Sequence, residues 1–382
     1  LKPHAKISID DARQIILSRQ GLLENSFGKG KSGTLNAIEH LGYVQIDTIS
    51  VVERAHHHTI WSRVNDYKPA YLNQLVEKDK AVFEYWSHAA AYLPMRDFRF
   101  SLIRKHRFLS GQVKRYTNKK IIQYVYDRIV AEGPLQSKDF EAKKPRGGWW
   151  EWKDTKLALE QLFSEGRLMA AGRKGFQKVY DLTERVLPEW VDTSMPTAKE
   201  YAEYLVKKAI RSSGIVAAEE IGYMRSHAKT PVAKLLVEKL QEGILIPVEI
   251  KGIDKQRYYT TPENLGTAPL AKSKNQVKIL SPFDNIVIQR RRLKRIFDFD
   301  YTIECYLPEA KRVYGYFCLP VLVNNGFIGR IDCKADRASK ELIVKKTFFE
   351  KQFKPTLKSK KQLENALREF ALFTGCNKVI MK

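Results

Sequence analysis

Glu165-Gly166-Arg167-Leu168 and Glu242-Gly243-Ile244-Leu245 read as one corner used twice. Upstream of the first, apolar spacing predicts a helix over about 154–164 and an earlier one over about 121–130 that runs into Gly133. Downstream, a hairpin turns near Lys174-Gly175 and closes on Tyr180-Asp181-Leu182-Thr183. The second corner has matching surroundings: a helix over about 200–211, Gly214, and a helix over about 231–241. A hairpin then turns near Gly252-Ile253-Asp254 and closes on Tyr258-Tyr259-Thr260-Thr261. Helix, short helix, helix and a two-stranded wing is the winged-helix plan, present here in two copies in register. The N-terminal region offers a third, more diverged copy.

In that region Ser8 can cap a helix, with Asp11 in capping-box position and Ala12, Ile15 and Ile16 on one face. Gly28-Lys29-Gly30-Lys31-Ser32-Gly33 lacks the GxxxxGK[ST] order of a phosphate loop. It reads as a flexible turn before a helix over about 34–40. Beyond residue 280 the stretches 301–305, 314–323, 327–334 and 341–349 are β-rich. Asn325-Gly326 is the favoured two-residue hairpin turn, and a helix over about 361–373 follows. The expected fold is therefore α+β: three tandem winged-helix modules over 1–118, 119–195 and 196–270, then a C-terminal β-barrel-like domain over 271–382 with its terminal helix.

Lys and Arg outnumber Asp and Glu by 67 to 43 in the 382 residues, a net charge of +24 that calls for a polyanionic partner. No apolar run approaches the roughly 18 residues of a membrane span, which leaves nucleic acid as the expected partner and excludes the membrane. No secretory leader is read, so a bacterial cytoplasmic, nucleoid-associated location is expected. Cys305, Cys318, Cys333 and Cys376 show no CxxC spacing, so neither a zinc ribbon nor an iron–sulfur cluster is expected. A recognition helix of about 10–12 Å fits a major groove about 12 Å wide, while a wing reaches phosphates.

Gln45 and Asp47 stand two apart in Tyr43-Val44-Gln45-Ile46-Asp47-Thr48, so an extended segment would send both to one side. From the pair alone, an exposed edge strand with ordinary polar residues explains them better than a cleft-lining strand does. His56-His57-His58 fall about 100° apart on a helix, so they cannot converge on a metal, and no HExxH is present. No metal or cofactor is expected. Arg54 and His56 form a basic patch suited to a DNA groove or to a plain solvated face; His88, among aromatics in Glu84-Tyr85-Trp86-Ser87-His88, reads as a hydrogen-bonded core histidine before a catalytic one, with a pocket wall or a DNA contact as the alternative. Lys251, Lys255 and Arg257 line the second wing, and Arg290-Arg291-Arg292 form a cluster suited to phosphates. Walker, GxGxxG and Gly-x-Ser-x-Gly signatures and clustered acidic metal ligands are absent, which removes the usual support for polymerase, nuclease, kinase and dehydrogenase readings.

The stretch from Leu41 to His57, with Gln45-Ile46-Asp47 at its centre, resembles the YcaQ/AlkZ family of winged-helix DNA glycosylases. So do Tyr85-Trp86-Ser87-His88, Ser281-Pro282-Phe283-Asp284, Arg290-Arg291-Arg292-Leu293, Tyr314-Gly315-Tyr316 and Gly329-Arg330-Ile331-Asp332. The resemblance implies a monofunctional glycosylase that removes N7-alkylated guanines and unhooks interstrand crosslinks from double-stranded DNA. In that case Asp47 and Gln45 handle the water and the oxocarbenium-like sugar. The family motif is Gln, an aliphatic residue, then Gln or Asp; the Asp form here is that of the YcaQ-like branch. Tandem modules allow a monomer. A non-enzymatic winged-helix regulator, usually a dimer on palindromic DNA, is the alternative.

Overall fold

The computed structural model describes residues 5–24, 26–114, 116–140, 148–266 and 276–382, which adopt a mixed α+β fold. Backbone contacts group the chain into two compact units. One comprises Leu1–Tyr67, His88–Ala90 and Ala198–Lys382; the other comprises Lys68–Ser87 and Ala91–Thr197. No helix among the described residues is long and apolar enough to cross a membrane.

The first unit opens with the strand Ala5–Ile7 and the helix Ile9–Arg19. The capping box forms as expected: Ser8 Oγ accepts from the Asp11 N–H at 3.0 Å, and the Asp11 carboxylate accepts from the Ser8 N–H at 3.1 Å. The next helix, Gly30–Leu41, starts inside the stretch expected to be a flexible turn. Thr34 Oγ1 donates to the Gly30 carbonyl at 2.8 Å, and Gly33 packs so closely on the Gly28 backbone that a Cβ would lie 2.8 Å from it. The glycines thus serve close packing. At the other end Gly42 takes φ +74° and donates its N–H to Ile38 O, a left-handed cap that favours glycine.

The second repeat copy lies in this unit as the helices Ala198–Ser213, Ala218–Ile221 and Lys229–Gln241, followed by antiparallel strands Ile246–Ile250 and Tyr258–Thr260. The strand Ala5–Ile7 pairs in parallel with Ile246–Ile250, a long-range pairing that local sequence patterns do not announce. Ile15, Ile16 and Leu17 pack in one core with Val248, Ile250, Tyr258, Leu293 and Phe299.

At the C-terminus a five-stranded sheet, a half-barrel, runs in the order Lys378–Met381, Glu341–Phe349, Gly326–Asp336, Cys318–Val323, Val277–Ile279. The first pair is parallel and the rest are antiparallel. The terminal helix Leu357–Phe373 contributes Leu363, Leu367 and Phe370 to the core with Phe317, Leu319, Ile331 and Val344. Three expectations need correction: of the β-rich stretch 314–323 only Cys318–Val323 is a strand, residues 314–317 being irregular. Residues 301–305 are irregular, tied down by the Tyr301 hydroxyl donating to Cys318 O at 2.6 Å. The tight turn is Asn324-Asn325, one residue early, because a register shift at Val321/Leu322 pairs Val323 with Gly326. Asn324 tolerates the φ of +55° that this requires.

The second unit holds the first repeat copy: helices Lys119–Glu132 and Gly148–Glu165, then antiparallel strands Leu168–Lys174 and Gln177–Leu182. Val125, Ile129, Leu159, Leu162 and Leu168 are buried. So is Lys105, whose Nζ lies 3.7 Å from the Phe98 ring centroid and 4.8 Å from that of Tyr85. Burial pushes its pKa down to about 7.

Candidate active site

The strand that carries Gln45 is only Val44–Gln45, shorter than the extended run to Thr48 that the alternation suggested. Val44, Gln45 and Ile46 are all buried, Gln45 at 7% exposure, so simple inside–outside alternation ends here. The Ile46 N–H donates to the Ala90 carbonyl at 2.8 Å and fixes the exit of the chain. Asp47 is half-buried in the irregular segment that follows, and its Oδ1 accepts from the Ile49 N–H at 2.7 Å. Burial raises the Asp47 pKa above the usual carboxylate value, while that N–H and the charge of Arg54 pull it back. A carboxylate fixed in this way is suited to facing positive charge or a water.

His88 is hydrogen-bonded to Gln45: its Nε2 lies 2.9 Å from Gln45 Oε1. An amide oxygen only accepts, so Nε2 carries the proton and donates. Burial first, then the positive charges of Arg225 and Lys208, pushes the His88 pKa down to about 3. The imidazole is therefore neutral, with one defined tautomer. Its ring is held edge-on by Tyr43 at 5.2 Å and Tyr223 at 5.4 Å between centroids. With its oxygen engaged, Gln45 keeps its two amide N–H groups and one lone pair for a ligand.

Several residues that sequence reasoning missed hold this arrangement. Asn285 Nδ2 donates to the Tyr43 carbonyl at 3.1 Å, bracing the strand from the C-terminal part of the unit. Its neighbour Asp284 forms a fully buried two-point ion pair with Arg63, at 2.7 and 2.8 Å. Arg63 Nε also donates to Gln20 O at 2.7 Å. The quoted Ser281-Pro282-Phe283-Asp284 stretch carried a signal for Asp284; nothing marked Arg63, whose partner lies 221 residues away. Lys208 crosses Gly42 so closely that a Cβ there would sit 2.3 Å from its Cδ. A cavity of about 50 Å³ lined by Tyr43, His88, Lys208, Glu220, Tyr223 and Arg225 adjoins His88. It has room for water and far too little for a nucleobase.

The candidate DNA contacts separate by exposure. Lys251, Lys255 and Arg257 are exposed on the loop between Ile246–Ile250 and Tyr258–Thr260, and Arg291 is exposed on the helix Arg290–Phe297. Arg54 is half-buried, with Nη1 donating to Thr48 O at 3.2 Å beside Asp47. His56 is a correction: it is buried, its ring centroid 4.2 Å from that of His57, and it offers no surface to a phosphate. Arg292 is a second correction, buried with Nη1 donating to Ser213 Oγ at 3.0 Å and Nε 3.6 Å from Glu220 Oε2. Arg290 is half-buried, donates to the Val287 and Pro282 carbonyls, and lies over the Tyr301 ring at 4.6 Å. The arginine run thus belongs mostly to the packing of its helix, because three consecutive residues spread around a helix and only one can face outward. Neighbouring histidines are structural too: His57 Nδ1 meets the Tyr67 hydroxyl at 2.6 Å, and His58 Nε2 donates to Ile279 O at 2.9 Å.

The architecture is shared with a solved protein. The Streptomyces sahachiroi DNA glycosylase AlkZ is similar in fold over 99% of both chains, with a TM-score of 0.66 and 14% identity. A family model described as DNA glycosylase AlkZ-like matches residues 38–373, a span that includes Gln45, Asp47, His88 and Asp284. With most of its length in that match, the chain belongs to the AlkZ-like DNA glycosylase family and is a DNA glycosylase.

Proposed function

We propose that this glycosylase excises N7-alkylated guanines from double-stranded DNA, crosslinked guanines included, and acts as a monomer on the bacterial chromosome. The observation that carries this reading is the pairing of a half-buried, backbone-fixed Asp47 carboxylate with an amide, Gln45, oriented by neutral His88. Alkylation at N7 makes the ring cationic and the base a ready leaving group, so little acid assistance is needed. The demand falls on the sugar, where positive charge develops, and on the attacking water. Asp47 is the group that stabilises that charge and takes the water proton, and the Gln45 amide positions the water. No lysine is part of the motif, which favours hydrolysis over Schiff-base strand cleavage.

The two helix–helix–hairpin segments act as winged helices in this reading, with a diverged third at the N-terminus. Lys251, Lys255, Arg257, Arg291 and Arg54 contact phosphates. A crosslinked guanine cannot rotate out of the duplex without its partner strand, so the lesion is attacked while still in the stack. The test is single-turnover excision on duplexes carrying N7-methylguanine, a bulky N7 monoadduct or a nitrogen-mustard crosslink, read as abasic sites. Asp47→Asn should lower the rate by about 10²–10⁴ with duplex affinity unchanged. Wild-type rates from that variant would overturn the site, and rates that collapse with adduct size would overturn attack in the stack.

A further inference from the structure

Residues 305–316 bridge to the strand Cys318–Val323 without regular structure beyond a single turn at Glu309–Lys311. The loop exposes an unusual amount of apolar surface for so short a span. Tyr306 is 73% and Val313 72% exposed, and Leu307 and Tyr316 are exposed as well. Single exposed apolar residues are ordinary; four on one loop mark a contact surface.

The loop is also held rigidly at its base. The Glu304 carboxylate accepts from three backbone N–H groups, those of Val313 at 3.2 Å, Tyr314 at 2.8 Å and Gly315 at 3.1 Å. Burial alone would raise the Glu304 pKa; those three donors outweigh it and hold it low. Arg312 Nε donates to Leu307 O at 2.9 Å, and its guanidinium lies 5.0 Å from the Tyr316 ring. The exposed side chains are thus presented from a fixed backbone, which lowers the entropy lost when they bind.

The base of the loop abuts the segment that carries Asp47. Ile303 and Phe317 flank the loop and pack in one core with Ile49, Val51 and Val52. Val51 O accepts from the Ala335 N–H at 3.0 Å in the same place. The proximity is also felt electrostatically: after burial, the charge of Asp47 is the next cause that raises the Tyr306 hydroxyl pKa.

We propose that this loop is a substrate-positioning wedge, with the Tyr306 ring, backed by Leu307, packing on the bases next to the reacting nucleotide so that its sugar is held at Asp47. DNA is the occupant that fits, because the tip carries Lys311 and Arg312 against the single acid Glu309 on a strongly basic chain. Stacking on an aromatic ring is tolerant of sequence, as a lesion-directed enzyme requires. The proposal rests on Asp47 being the catalytic carboxylate.

The experiment compares wild type, Tyr306→Ala, Tyr306→Phe and Asp47→Asn on a duplex with N7-methylguanine and 2-aminopurine as its neighbour. Tyr306→Ala should slow single-turnover excision by about 10-fold or more. It should also abolish the aminopurine fluorescence change on binding. Tyr306→Phe should behave as wild type, since stacking needs the ring and not the hydroxyl. Wild-type excision and fluorescence from Tyr306→Ala, or an equal loss from Tyr306→Phe, would overturn the wedge. Wild-type excision from Asp47→Asn would instead overturn the active site on which it rests, and the aminopurine signal, which needs binding only, would still report on the loop.

Discussion

Replacing His88 with Phe keeps a flat ring between Tyr43 and Tyr223 and deletes the Nε2–H that donates to Gln45 at 2.9 Å. A neutral hydrogen bond of this kind contributes about 0.5–1.5 kcal/mol net, so the share of correctly turned Gln45 should fall roughly 2- to 12-fold. Single-turnover excision should drop by the same factor while duplex affinity stays unchanged. The substitution also removes a titratable group whose folded pKa is pushed down to about 3 from an ordinary 6.5. With the folded value depressed, the unfolded chain takes up the proton first. The stability tied to a neutral His88 is therefore complete above pH 6.5 and is lost as pH falls toward 3. Between about pH 7.5 and pH 5 the loss covers about 1.5 pH units, or about 2 kcal/mol at most, and partial exposure of the ring trims it toward about 1. Urea titrations at the two pH values should show the His88→Phe protein less acid-sensitive by that amount. Parallel pH dependence of the two proteins would refute the reasoning. So would a wild-type excision limb near pH 6.5 that vanishes in the variant, because it would mean that the ring is charged where it meets Gln45.

Asp284→Ala strands the buried Arg63 guanidinium and should destabilise the first unit by about 3–5 kcal/mol. Pairing it with Arg63→Met should recover part of that loss in chemical denaturation, and additive losses would show that the two do not act as a pair. Lys105→Met should raise stability at neutral pH, because burial without a carboxylate holds the lysine pKa at about 7 against an ordinary 10.5. The unfolded chain keeps that proton longer, so the wild type should gain stability as pH rises from 7 toward 10.5 and the Met variant should not. A shift of that size corresponds to about 4 kcal/mol at neutral pH, which sets the upper bound of the gain. A Met variant with unchanged melting temperature and an unchanged alkaline rise would rule this out.

The repeat was legible because its signals are local: apolar spacing, a Glu-Gly corner and a Tyr-rich closing strand recur in order. The Ser8 cap was legible for the same reason. What escaped sequence reasoning depends on distant partners. The parallel pairing of Ala5–Ile7 with Ile246–Ile250 joins residues with no shared pattern, and the one-residue error at Asn324 comes from a register shift that depends on the opposing strand. In the site, Gln45 and Asp47 could be named from their motif, but their geometry could not. The strand stops at Gln45, and Asp47 is fixed by a local Asx-type turn. His88 was noticed as an aromatic-flanked, hydrogen-bonded histidine, but its partner Gln45 could not be named, since nothing local says that Tyr43 and Tyr223 close around it. Arg290, Arg291 and Arg292 looked alike in sequence and differ only because a helix turns them to different surroundings.

The buried pair Arg63–Asp284 has a consequence for synthesis of the chain. Its partners are separated by 221 residues, as are His58 and Ile279, and Lys278 reaches back 216 residues to the Ser62 carbonyl. The segment bearing Gln45 and Asp47 leaves the ribosome early and can find Ile49, His88 and Ala90 soon after, yet its braces from the C-terminal part of the chain do not exist until residues 278–285 have been made. Until then Arg63 has only neutral partners such as the Gln20 carbonyl and lacks its carboxylate, and the Tyr43 carbonyl lacks Asn285. Contacts of such sequence separation close slowly. The candidate site thus acquires its full bracing late, after most of the chain has emerged, and a prematurely terminated chain carries the motif without that support.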